Sequence, residues 1–151
     1  MHIDIISGFG AFICISMLAY INAFDESNLW LIPPFGARMV LVMAVHESPL
    51  VHPKNVFFGH LISAFSGVLV YAIFGLSHLS IGLGVGLAIF LMMITNTVHP
   101  LAGANPIIAI LGAKGASFIF IPVAAGASFI VIFAVIYNKL LKREYSNFSI
   151  R

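Results

Sequence analysis

Four uninterrupted apolar runs set the pattern of this chain: Ile5 to Phe24, Asn55 to Leu76, Ile81 to Val98 and Ala116 to Tyr137, none containing Asp, Glu, Lys or Arg. At 1.5 Å per residue each is long enough to cross a hydrocarbon core of about 30 Å, so each predicts a membrane-spanning helix. Two further apolar stretches are shorter and broken: LWLIPPFGARMVLVMAV, from Leu29 to Val45, and HPLAGANPIIAILG, from His99 to Gly112. Each opens on proline, passes a Gly-Ala step (Gly36-Ala37, Gly103-Ala104) and continues into helix-compatible apolar sequence. Each therefore predicts an extended lead-in followed by a half-helix.

The expected fold is an all-α integral membrane protein, with four full transmembrane helices and two broken or re-entrant half-helix segments. The two broken segments lie in a comparable frame, because Gly36 precedes Gly59 by the same 23 residues that separate Gly103 from Gly126. The chain then reads as two copies of span, broken segment, span. If the broken segments cross, each copy has an odd number of crossings and the second copy is inverted relative to the first. If they dip in and return, the copies are parallel. Both readings put the two chain ends on one side.

Composition agrees with a membrane location: 61% of the residues are hydrophobic and 8% charged, against roughly a quarter charged in soluble domains. MHIDIISGFGAF has no basic region before its apolar run, so the first span is expected to stay rather than be cleaved as a signal peptide. Residues 1–151 are expected to form a single transmembrane domain with a short tail at 139–151. Lys139, Lys142, Arg143 and Arg151 gather in that tail against Glu144 alone, which predicts a cytoplasmic tail in a bacterial inner membrane. Nucleic-acid binding is set aside, since no basic face or large soluble domain is present. The one cysteine, Cys14, excludes an intramolecular disulfide and a Cys-based metal site.

Candidate chemistry concentrates at the breaks. Non-helical backbone at membrane depth is tolerated only inside protein or beside a wet cavity, and a helix that begins there exposes amide donors. Gly36-Ala37 and Gly103-Ala104 are therefore candidate backbone donors to an anion, framed by Pro34, Phe35 and Pro100, with His99, Asn105 and Asn96 as nearby side-chain donors. The plainer reading, that Pro and Gly only kink two packed helices, stands beside it. Arg38 is the one formal charge inside any apolar segment. It must line a cavity, where it could face an anion, or snorkel to an interface. His60, inside a span, is a candidate buried hydrogen-bonding or proton-linked group.

His46, His52, His60, His78 and His99 lack metal-ligand spacing on any one helix, and no nucleophile and base stand paired. No metal, cofactor or enzymatic activity is expected. Gly59, Ser63 and Gly67, and separately Gly82 and Gly86, form small-residue stripes suited to close helix packing in the monomer or a homo-oligomer.

PFGA at Pro34 to Ala37, SPL at Ser48 to Leu50, PKNVFFGHLISA at Pro53 to Ala64 and HPLAGA at His99 to Ala104 occur in one order along the chain. In these motifs the sequence resembles the HPP family of small integral membrane proteins. It departs from the naming His-Pro-Pro motif at Leu101, and Arg38 stands where the family tends to have a small residue. The resemblance implies transport, because similar cyanobacterial and chloroplast members are associated with nitrite movement. The expected function is a small-anion transporter or channel, with nitrite the candidate substrate. The alternative is a non-transporting membrane subunit that binds a partner protein.

Overall fold

A computed structural model describes residues 2–24, 31–143 and 145. The start of the first broken segment and the tail residues Glu144 and Arg151 lie outside the described residues. The described chain is all-helical: α1 (His2–Phe24), α2 (Pro33–Ala44), α3 (Pro53–Phe74), α4 (His78–Ile94), α5 (Asn105–Leu111) and α6 (Ala125–Leu140). Short 3-10 turns precede α3 at Pro49–Val51 and α5 at Pro100–Ala104.

Local chemistry sets the boundaries. Both breaks begin with an extended residue ahead of proline: Ile32 (φ −111°, ψ 149°) before Pro33 and His99 (φ −132°, ψ 110°) before Pro100. Proline disfavours the α conformation in the residue before it and then presets φ for the first helical turn. Gly75, at φ +66°, stops α3. A capping box of Ser77 and Ser80 starts α4.

Two expected spans differ from the observed helices. The run Ile81 to Val98 becomes α4, of 17 residues, because the chain turns at Thr95 and Asn96 takes a left-handed φ of 53°. The run Ala116 to Tyr137 is not one regular helix: Ile121, just before Pro122, is non-helical (φ −129°, ψ 120°), and the helix proper resumes at Ala125. Three segments are long and apolar enough to cross a membrane, Ile5–Phe24, Pro53–Phe74 and Ile119–Leu140, and the others are shorter.

Contacts fix the direction in which each element runs. Ser7 Oγ donates to the Met43 carbonyl, and Tyr137 Oη donates to the Ile6 carbonyl. The start of α1 and the ends of α2 and α6 therefore meet at one end of the molecule. Arg143 reaches Ser7 at the same end. α4 returns antiparallel along α3, with Met92 near Gly59 and Gly84 near Gly67. α5 runs parallel to α3, since Asn105 meets His60 and Ser63 while Pro106 seats on Gly67. α2 runs parallel to α6, from Phe35 at Gly126 to Met43, which, like Tyr137, packs on Gly10.

Each short helix is thus carried by the long helix of the opposite half of the chain. Glycine makes that approach close enough. A Cβ at Gly126 would strike the Phe35 ring, and one at Gly59 would lie 2.8 Å from the Thr97 carbonyl oxygen and 3.0 Å from the His99 Cβ. The stripe of Gly59, Ser63 and Gly67 therefore serves the monomer's own packing. Gly82 and Gly86 face open space.

Gly126→Val should destabilise the protein by about 1–3 kcal/mol through overpacking against the fully buried Phe35. Gly82→Val, with no neighbour to meet, should change stability by less than about 0.5 kcal/mol. Thermal unfolding of both variants in detergent checks the contrast; equal losses would mean that the Gly126 notch is not a tight seat.

Candidate functional site

Where the two breaks approach each other, the structure buries an unusual set of side chains. Arg38, on α2, is 0% exposed, as are His60 on α3, His99 before the second break and Asn105 at the start of α5. The Arg38 guanidinium lies 4.8 Å above the Phe35 ring, a cation–π contact. Its Nε, Nη1 and Nη2 are buried without a hydrogen-bond partner. No aspartate or glutamate is found among the described buried side chains.

The histidines pack around this charge. The His60 and His99 ring centroids are 5.0 Å apart, and Phe35 meets His60 edge-on at 6.2 Å. Asn105 Nδ2 contacts His60 Nδ1 at 2.9 Å, the His60 carbonyl oxygen at 3.1 Å and Ser63 Oγ at 2.9 Å. His99 Nδ1 lies 2.8 Å from the Leu50 carbonyl oxygen. Each ring is held by one nitrogen, and the other, Nε2 in both cases, is buried and unpartnered together with Asn105 Oδ1.

Tyr145, in the tail, donates its hydroxyl hydrogen to the Val51 carbonyl at 2.9 Å. Burial pushes that phenol up to about 12, against a smaller opposing effect of Arg38, so it stays a neutral donor. Cys14, buried on α1, also lies within the electrostatic reach of Arg38.

The expected site residues divide into two groups. Phe35, Arg38, His60, His99 and Asn105 come together, and Pro34 is buried beside them in sequence. Gly36 and Ala37 are exposed; Gly36 instead lines an apolar groove between α1 and α2 with Ser7, Ala11 and Met39. Pro100 is exposed, Gly103 and Ala104 are half-buried, and a side chain at Gly103 would meet open space. Asn96 is exposed.

Free backbone N–H groups are few at the start of α2. The helix begins at Pro33 and Pro34, which have no N–H, and the Phe35 N–H is already bonded to the Ile32 carbonyl oxygen at 2.9 Å. Side-chain donors stand unpartnered at Arg38. Ser63, Leu50 and Tyr145 were absent from the expected set. Ser63 was legible as the middle of the small-residue stripe, whereas the Leu50 and Tyr145 contacts span 49 and 94 residues of sequence.

In the register that sets Gly36 on Gly103 and Gly59 on Gly126, Pro33 falls on Pro100, Ala37 on Ala104 and Arg38 on Asn105. The two polar groups at the centre therefore occupy equivalent places in the two broken segments.

With that geometry in view, comparison with known proteins gives the class. The chain matches the HPP transmembrane-region family over residues 1–146, and it belongs to that family. It is also similar to two Dictyostelium discoideum proteins, each described as a transmembrane protein. One is 33% identical over 93% of this chain and 52% of its own length. The other is 32% identical over 95% of this chain and 49% of its own. The chain thus spans about half the length of these relatives. No solved structure matches it.

A buried guanidinium with no acceptor carries a desolvation cost that its contact with the Phe35 ring does not cover. Arg38→Met, purified without added anion, should therefore be as stable as the parent or more stable, by up to about 4 kcal/mol. Thermal unfolding in detergent measures this. A clear loss of stability would show that Arg38 has a structural partner.

Proposed function

We propose that this multi-pass membrane protein is a transporter or channel for a small monovalent anion and that Arg38 holds the anion. The observation that carries this reading is the fully buried guanidinium with three unpartnered nitrogens and no acid among the described buried side chains. A buried arginine is retained in lipid chiefly where it lines a pathway or meets a counter-charge. An anion supplies the counter-charge, and a planar oxyanion fits the guanidinium fork in two parallel hydrogen bonds. His60 and His99 supply the flanking polar atoms, and Phe35 backs the guanidinium face.

Topology supports the same reading. The directions of α1, α2 and α3 are those of α4, α5 and α6 reversed, which supports reading the halves as inverted repeats. Arg38 and His60 come from the first half, His99 and Asn105 from the second, so the site lies at the repeat interface. The end that carries Arg143 and Lys54 faces the cytoplasm by the positive-inside rule. Nitrite is the substrate favoured by the resemblance to cyanobacterial and chloroplast members, and it is a planar monovalent oxyanion of the kind the site suits.

The test is nitrite influx into liposomes holding the purified protein, with empty vesicles subtracted for passive leak of nitrous acid. Saturable influx is expected, and Arg38→Met should lower anion affinity by about 100-fold or more, since it removes the buried counter-charge. Saturable flux undiminished in a folded Arg38→Met protein would dismiss Arg38 as the anion group. Absence of flux for nitrite, nitrate, formate and chloride would favour the partner-binding subunit.

A further inference from the structure

The two central histidines differ in which ring nitrogen carries hydrogen, and the difference is fixed by their partners. The His60 carbonyl oxygen can only accept, so its 3.1 Å contact orients the Asn105 amide with nitrogen inward. The same nitrogen lies 2.9 Å from His60 Nδ1, which must then be the acceptor. Neutral His60 therefore carries its hydrogen on Nε2 and presents a donor.

His99 is the reverse. Its Nδ1 lies 2.8 Å from the Leu50 carbonyl oxygen, again an atom that can only accept. Nδ1 therefore carries the hydrogen, and neutral His99 presents a bare lone pair at Nε2. Both Nε2 atoms are buried and unpartnered.

An oxyanion such as nitrite offers only acceptor atoms. It can take N–H groups from Arg38 and from His60 Nε2, but its lone pairs oppose the lone pair of His99 Nε2. We propose that the site binds one proton with each anion and that His99 Nε2 receives it, an inference that rests on the anion reading of Arg38. The proton comes from the aqueous phase and forms one N–H bond at Nε2, and no other bond breaks. Opposition thereby becomes a charge-assisted hydrogen bond.

The surrounding charges make the two events mutually dependent. Arg38 from α2 and His60 from α3 face His99, and Arg38 is the fixed charge acting on it. The one titratable side chain of α4, His78, lies at the opposite end of that helix, and α5 has none. Tyr145 from the tail lies near Arg38 and remains a neutral phenol. Without an anion, a proton on His99 would add a second buried cation beside Arg38. A bound anion cancels the first charge, and by linkage the proton strengthens anion binding to the same degree.

Isothermal titration of the full chain with sodium nitrite, in two buffers of different ionisation heat at pH 6, 7 and 8, tests this. Nitrite stays ionised throughout that range. The expected result is uptake of one proton per nitrite, with affinity falling about tenfold per pH unit where the free site is unprotonated. His99→Gln, which leaves a polar amide but no titrating group, should lose both the pH slope and the proton uptake, its weaker nitrite affinity being the same at all three pH values. Wild-type binding with no buffer-dependent heat overturns the proton proposal and leaves the anion site standing. Proton uptake that persists in His99→Gln overturns the assignment to His99. No binding of nitrite, nitrate, formate or chloride to folded wild-type protein overturns the anion reading itself.

Discussion

Close approach of irregular backbone to a neighbouring helix is the constraint on which this structure depends. In hydrocarbon a non-helical peptide group has no water to bond, so the chain can break its helices only where other parts of the protein enclose the break. The breaks before α2 and α5 are enclosed because α6 and α3 have glycine where those segments cross. Gly126 leaves room for the Phe35 ring, Gly59 for His99 and the Thr97 carbonyl, and Gly67 for Pro106. These notches do more than pack two helices. They hold the side chains at positions 35, 38, 99 and 105 at one depth and turn them inward.

Arg38 is the energetic exception inside that frame. Every other buried polar side chain at the centre has at least one partner: His60 with Asn105, His99 with Leu50, Asn105 with Ser63. Arg38 has the Phe35 ring and no acceptor. A cation–π contact is worth about 2 kcal/mol when desolvated, less than the several kcal/mol that removing a guanidinium from water costs. Folding therefore tolerates a charge that packing alone does not justify, and such imbalance is expected where a residue is kept for binding.

Much of the architecture was legible in the linear pattern. Uninterrupted apolar runs located α1 and α3, and proline followed by Gly-Ala located both breaks. Pro122 lies inside an otherwise uniform apolar run, and its effect on Ile121 was passed over because hydropathy hides a backbone constraint. The site was legible in part. Arg38, His60, His99 and Asn105 stood out as polar groups in apolar surroundings, but their convergence depends on pairings such as Asn105 with His60, 45 residues apart. The paired prolines at the start of α2 mark a helix start and also remove two of the amide hydrogens that a helix start normally offers.

The sequence register that sets Gly36 on Gly103 makes this division of labour intelligible. In that register the backbone devices coincide: Pro33 with Pro100, Gly36 with Gly103, Gly59 with Gly126. The chemistry is not shared, since Ile32 corresponds to His99, Phe35 to Ala102 and Arg38 to Asn105. A symmetric pair of breaks builds the seat, and asymmetric substitution fills it with a cation and its aromatic backing from one half and a histidine and an amide from the other. Had both halves kept arginine at this position, two buried like charges would repel at short range. The asparagine avoids that repulsion and orients His60. The centre of the fold is therefore left with a single formal charge, that of Arg38, among the described buried side chains.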